Sequence, residues 1–154
     1  MFRMRITLFV ALLAQLSTLA PKPGHATITP SPADVAGKAG GTVSLFVDVT
    51  PKTGMHVYAP GSKDYIAITV KLNPQAEIKT GKLVYPRSEL VELAGERVPV
   101  FQKPFRLTLP VSLAKSAQPG ATVAVTGTVN YQACDDKVCY PPESAPVAWT
   151  IAVK

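Results

Sequence analysis

Phe105-Arg106-Leu107-Thr108-Leu109-Pro110-Val111-Ser112-Leu113 puts an apolar side chain at every second position and mostly polar ones between. A two-residue period is that of a strand with one buried face, because successive side chains leave opposite sides of a sheet. The period recurs in both directions along the chain. Upstream, Val43, Leu45, Val47 and Val49 alternate with Thr42, Ser44, Phe46 and Asp48, and Ile66, Ile68, Val70 and Leu72 alternate with Ala67, Thr69 and Lys71. Downstream, Val123, Val125, Val129 and Tyr131 share one face, and Val147, Trp149, Ile151 and Val153 share another, which makes Trp149 a core residue. Shorter strand candidates lie at 55–59, 77–79, 82–85 and 97–101. Beyond residue 26 no segment holds a helical repeat; the best attempt, residues 88–94, reads as a loop. Thirteen prolines in that part of the chain also oppose long helices. Residues 27–41 (TITPSPADVAGKAGG) are rich in Pro, Gly and small residues and are expected to hold little regular structure. Half-buried strands separated by turn residues predict an all-β chain, an immunoglobulin-like β-sandwich over residues 42–154.

The first residues read differently. Arg3 and Arg5 precede an apolar run over residues 6–19, and Gly24 and Ala26 then stand at small-x-small spacing. That order is expected of a secretory signal peptide over residues 1–26, and the run falls short of the roughly 20 residues that a membrane-spanning helix needs. No cysteine lies near the cleavage point to carry a lipid. Loss of residues 1–26 removes three basic residues and leaves 13 against 10 acidic, a net charge of +3 with no basic run that suggests nucleic acid. Export to the periplasm would put the two cysteines where disulfides persist. After cleavage nothing in the chain is expected to span a membrane.

Those cysteines are Cys134 and Cys139, separated by Asp135-Asp136-Lys137-Val138 just after a strand. Facing positions across such a hairpin can meet the geometry of a disulfide. As a staple the bond is weak, since closing about six residues restrains the unfolded chain by roughly 2 kcal/mol, against about 4.7 for 100 residues. A small ring at a hairpin end is accessible, which is what thiol–disulfide exchange requires. Metal binding is the third reading, and it is poorly supplied. A single C-x4-C could recruit only His56, with Met55 the one methionine left. No metal and no cofactor are expected. Lys137 favours a thiolate here, whereas Asp135 and Asp136 disfavour it.

In this segment Tyr131, Gln132, Cys134, Cys139, Tyr140, Pro141, Pro142 and Glu143 match the Y-Q-x-C…C-Y-P-P-E pattern of a known family. The chain resembles the N-terminal periplasmic domain of the thiol-disulfide interchange protein DsbD. Gly54-Met55-His56-Val57-Tyr58 resembles that family's glycine–aromatic strand beside the cysteines, and residues 98–111 resemble the stretch ending in its L-T-L-P-V strand. The resemblance implies an immunoglobulin-like electron relay, a protein thiol-disulfide oxidoreductase. It would take reducing equivalents from a thioredoxin-like donor and pass them to periplasmic disulfide proteins. By the same resemblance Cys139 would form the mixed disulfides and Cys134 would resolve them. A cap loop would fall near residues 86–97, with Leu90 or Leu93 as its lid side chain, and His56, Tyr58 and Tyr140 would neighbour the pair. The cysteine spacing is one residue shorter than in the best-known member, and the cap lacks that family's acidic–aromatic sequence. As a stand-alone chain the relay would need its donor from another protein. A reading from a different class is an immunoglobulin-like binding module with a structural hairpin disulfide.

Overall fold

The computed structural model describes residues 24–93 and 95–154, so most of the expected signal peptide lies outside the described residues. In chain order the strands of the first half are β1 (Ala26–Pro30), β2 (Asp34–Gly37), β3 (Thr42–Pro51), β4 (His56–Tyr58), β5 (Thr69–Leu72) and β6 (Ile78–Thr80). The second half adds β7 (Glu89–Leu93), β8 (Glu96–Phe101), β9 (Phe105–Leu113), β10 (Thr122–Tyr131), β11 (Ala133–Cys134) and β12 (Glu143–Val153). They form three four-stranded sheets, ordered β1-β3-β9-β6, β2-β12-β10-β5 and β11-β4-β8-β7. The fold is all-β, and its first two sheets make the immunoglobulin-like sandwich that the alternation predicts.

The long strands pack as their period demands. Leu45, Val47 and Val49 of β3 and Leu107, Leu109 and Val111 of β9 are buried against Val125 and Val129 of β10 and Trp149 and Ile151 of β12. Each such side chain contributes about 1.5–3 kcal/mol on full burial, so the sandwich core supplies most of the favourable free energy. Trp149 is core, as its face predicts, and its indole N–H donates to the Phe46 carbonyl (3.2 Å), so that buried donor is satisfied. Gly127 sits where β10 and β5 leave no room for a side chain. A Cβ there would lie 2.6 Å from the Lys71 carbonyl oxygen and 2.9 Å from Leu72 Cδ2.

Several segments differ from the sequence reading; the strand expected over 66–72 is held only over Thr69–Leu72, and Ile66 is 48% exposed. Residues 27–41 are not irregular: β1 pairs antiparallel with β3 from Ala26↔Pro51 to Pro30↔Val47, and β2 pairs parallel with β12 from Thr150↔Asp34 to Val153↔Gly37. Each is an edge strand with few apolar residues turned inward, Ala26 and Ile28 in β1 and Val35 in β2, too few to show a period. Residues 88–94 hold β7 rather than a loop. It pairs with β8 from Glu89↔Val100 to Leu93↔Glu96. Of the shorter candidates, residues 82–85 give only an isolated bridge, Val84↔Thr108.

Candidate functional site

The third sheet grows from one end of the sandwich and carries the cysteines. One of its two interior strands, β4, follows a turn in which the Met55 N–H donates to the Lys52 carbonyl (2.9 Å). Gly54 sits in that turn at φ +76°, where a side chain would be strained. Beyond the turn, β4 pairs with β11 as Ala133↔Val57 and Cys134↔His56. Opposed residues of an antiparallel pair share a face. Val57 and Ala133 therefore enter the main core, while His56, Tyr58 and Cys134 turn to the other side. There Tyr58, Val98, Val100 and Cys134 make a second, smaller apolar cluster, against which Tyr65, Val91 and Leu93 pack.

Cys134 and Cys139 are disulfide-bonded, with their Cα atoms 4.1 Å apart across an antiparallel bridge. The loop between them is held from inside. The Asp135 carboxylate accepts the N–H groups of Lys137 (2.8 Å) and Val138 (2.7 Å) and the Tyr140 hydroxyl (2.9 Å). These three donors, the two backbone ones first, hold its carboxyl below the usual range. Asp135 N–H donates to the Val138 carbonyl, and Tyr140 N–H to that of Ala133, both at 3.0 Å. The two cysteines are placed unequally: Cys134 is a buried residue, 1% exposed, whereas Cys139 is an exposed one.

Tyr58 joins both sulfurs to the core. Its ring is fully buried, and its hydroxyl donates to Cys134 Sγ (2.9 Å) and lies 3.3 Å from Cys139 Sγ. Burial, with a smaller contribution from Tyr65, pushes its hydroxyl up to about 12, so it remains a donor throughout the physiological range. His56 is buried as well, at 3% exposed, with its ring edge-on to Tyr58 at 5.4 Å. Burial lowers its pKa and the Asp135 and Asp136 charges oppose that shift, so the imidazole is neutral at pH 7. Of the two candidate lid residues, Leu93 packs against the cluster that holds Cys134, while Leu90 is 56% exposed on the other face of β7. Tyr140 is half-buried beside Cys139. Among the described residues no group of three or more His, Cys, Asp or Glu side chains stands close enough to hold a metal ion.

Three contributors were given no site role from sequence. Tyr65 stacks on Tyr58 with ring centroids 4.3 Å apart, yet it lies in a stretch without periodicity. Gln132 donates to the Tyr140 carbonyl (3.2 Å) and accepts the Ile66 N–H (3.1 Å), joining the cysteine loop to the segment before β5. His25, assigned to the leader, stacks on Tyr140 at 3.8 Å and pairs with Glu143, which also accepts the Tyr131 hydroxyl. The Y-Q-x-C…E pattern was the one available signal for Gln132 and Glu143.

The described residues thus form a β-sandwich that carries one disulfide between a buried and an exposed cysteine. The chain belongs to the family described as thiol:disulfide interchange protein DsbD, N-terminal, whose match covers residues 26–149. No curated protein matches it in sequence. Among solved structures it is similar to the N-terminal periplasmic domain of ScsB from Proteus mirabilis, at 16% identity and a TM-score of 0.57. That match covers 84% of this chain and 48% of the other, so the chain spans about half the length of that relative. A cohesin from scaffoldin B of Acetivibrio cellulolyticus also matches, at 11% identity and a TM-score of 0.44, covering 84% of this chain and 98% of that one. Among the described residues no helix is long and apolar enough to cross a membrane.

Proposed function

We propose that this chain is a periplasmic thiol–disulfide exchange protein that relays reducing equivalents from a thioredoxin-like donor to disulfide-containing acceptor proteins. The observation that carries this reading is the unequal exposure of the pair, with Cys139 open and Cys134 buried. A donor thiolate attacks Cys139 Sγ, the Cys134–Cys139 bond breaks, and Cys134 leaves as a thiolate. The Tyr58 hydroxyl, already directed at Cys134 Sγ, stabilises the charge that develops there. The donor's second thiol then displaces Cys139 and leaves the pair reduced. In the forward half, the Cys139 thiolate attacks an acceptor disulfide, and Cys134 resolves the resulting mixed disulfide. Two electrons pass in each half.

Family membership supports the chemistry, and the sulfur geometry supports the division of roles. Export rests on the leader-like residues 1–26 and on the periplasmic domain that the chain resembles in fold. Sequencing of the exported protein should begin at Thr27; an intact N-terminus would contradict cleavage. The roles are tested with a reduced single-cysteine variant and a thioredoxin-like protein in its disulfide form. Cys134→Ala should accumulate a mixed disulfide through Cys139, whereas Cys139→Ala should trap little. Equal trapping by both variants would overturn the assignment, and trapping by neither would leave the binding-module reading with a structural disulfide.

A further inference from the structure

His56 Nε2 is a buried polar atom with no hydrogen-bond partner. Such an orphan is unfavourable unless another state of the protein satisfies it. His56 stands directly opposite Cys134 in the β4–β11 register, at a position where Cβ atoms are about 4.5–5.5 Å apart. In the oxidised protein Cys134 has no hydrogen to offer. Reduction gives it one, inside a site that shelters it from water.

We propose that His56 is the proton acceptor for Cys134, taking the thiol hydrogen as Cys134 attacks a mixed disulfide held on Cys139. This inference rests on the exchange function proposed above and adds a residue to it. In the step, the Cys134 S–H bond breaks and its proton passes to His56 Nε2. The Cys134 sulfur bonds to Cys139 Sγ, and the Cys139–partner bond breaks. The partner sulfur leaves with the electron pair as a thiolate, and the proton then returns to solvent. The cysteine pair is oxidised and the partner reduced by two electrons. When a donor attacks Cys139 in the opposite direction, the path runs in reverse: His56 takes a proton from solvent and passes it to the departing Cys134 thiolate.

The surroundings suit a base. Tyr58 presents its ring to His56 from the same strand and its hydroxyl to the sulfurs, Cys134 faces it from β11, and the charges acting on it come from Asp135 and Asp136 in the following loop. Because the imidazole is neutral at pH 7, it is ready to accept a proton. The two carboxylates would stabilise the imidazolium that forms.

The test uses dithionitrobenzoate with the reduced protein. A first coloured thiolate is released on capture at Cys139, and a second when Cys134 displaces the bound probe. The second phase reads the proposed step. With a histidine base whose pKa lies below its ordinary value of about 6.5, its rate should fall less than about 1.3-fold between pH 8 and pH 7. His56→Gln leaves an unassisted thiol near its ordinary pKa of about 8.5, so the same phase should fall about eightfold. A variant with the wild-type pH profile overturns the role of His56 while leaving the relay intact. A wild-type protein that releases no second thiolate overturns both. A measurement on the unaltered protein guards against misfolding of the variant: the Nε2 nitrogen resonance of His56 should move on reduction, and an unchanged resonance contradicts the proposal.

Discussion

At the scale of single residues, Tyr58 links stability to chemistry. Its hydroxyl pKa is raised from 10.0 to about 12, chiefly by burial. A raised folded-state value contributes stability that is complete below the unfolded value and is lost as pH climbs through the folded one. Stability should therefore fall between about pH 10 and pH 12, and Tyr58→Phe should blunt that fall in urea titrations taken at each pH. The same variant keeps the stacked ring but removes the donor to Cys134 Sγ. Loss of a hydrogen bond to a developing charge, worth about 1.5–3 kcal/mol, should slow attack at Cys139 roughly 10- to 100-fold in stopped-flow exchange. The cysteines and Tyr140 could be singled out from one short pattern, and His56 and Tyr58 from the separate stretch 54–58. Tyr65 could not, since its stacking is made by tertiary packing that no local spacing encodes.

Among the elements, the β7–β8 hairpin occupies the place where the family resemblance implies a cap. Val91 and Leu93 face the cluster around Cys134 and Tyr58, while Leu90 faces solvent. Leu93→Ala should therefore speed reaction of the disulfide with a small thiol and lower stability by about 1–2 kcal/mol, whereas Leu90→Ala should stay within about 0.5 kcal/mol of wild type. Equal effects of the two on exchange would contradict the assignment of the covering face. Sequence period could not choose between these leucines: Leu90 and Leu93 are three apart, a spacing that suits a helix turn, and β7 is too short to display alternation. The long strands β3, β9, β10 and β12 were legible because each repeats its apolar face three times or more. Gly127 offers a separate test of sheet geometry. Its substitution by Ala forces a Cβ onto the Lys71 carbonyl and should cost about 1–3 kcal/mol in urea unfolding.

For the whole molecule, stability and exchange are housed apart. The sandwich core lies between the first two sheets, and the disulfide closes only a short loop on the third. Such a loop restrains the unfolded chain by roughly 2 kcal/mol. Cys134→Ala combined with Cys139→Ala should consequently lower stability by about that amount and leave the circular dichroism of the sheets unchanged. A global loss of structure would make the bond a staple after all. The fold class was readable because the sandwich strands are long and amphipathic. The third sheet was only partly readable, because its strands are short and β4 pairs with partners far away in sequence, β11 and β8.

The most direct test of an exchange-active pair is the reduction potential of Cys134–Cys139, taken by equilibrating the protein in thiol redox buffers and weighing its alkylated forms. Exchange proteins span roughly −270 to −120 mV, and structural disulfides usually lie below about −300 mV. A value inside the first window is the predicted result. A value well below −300 mV would contradict the relay and leave a family fold whose disulfide serves only its own structure.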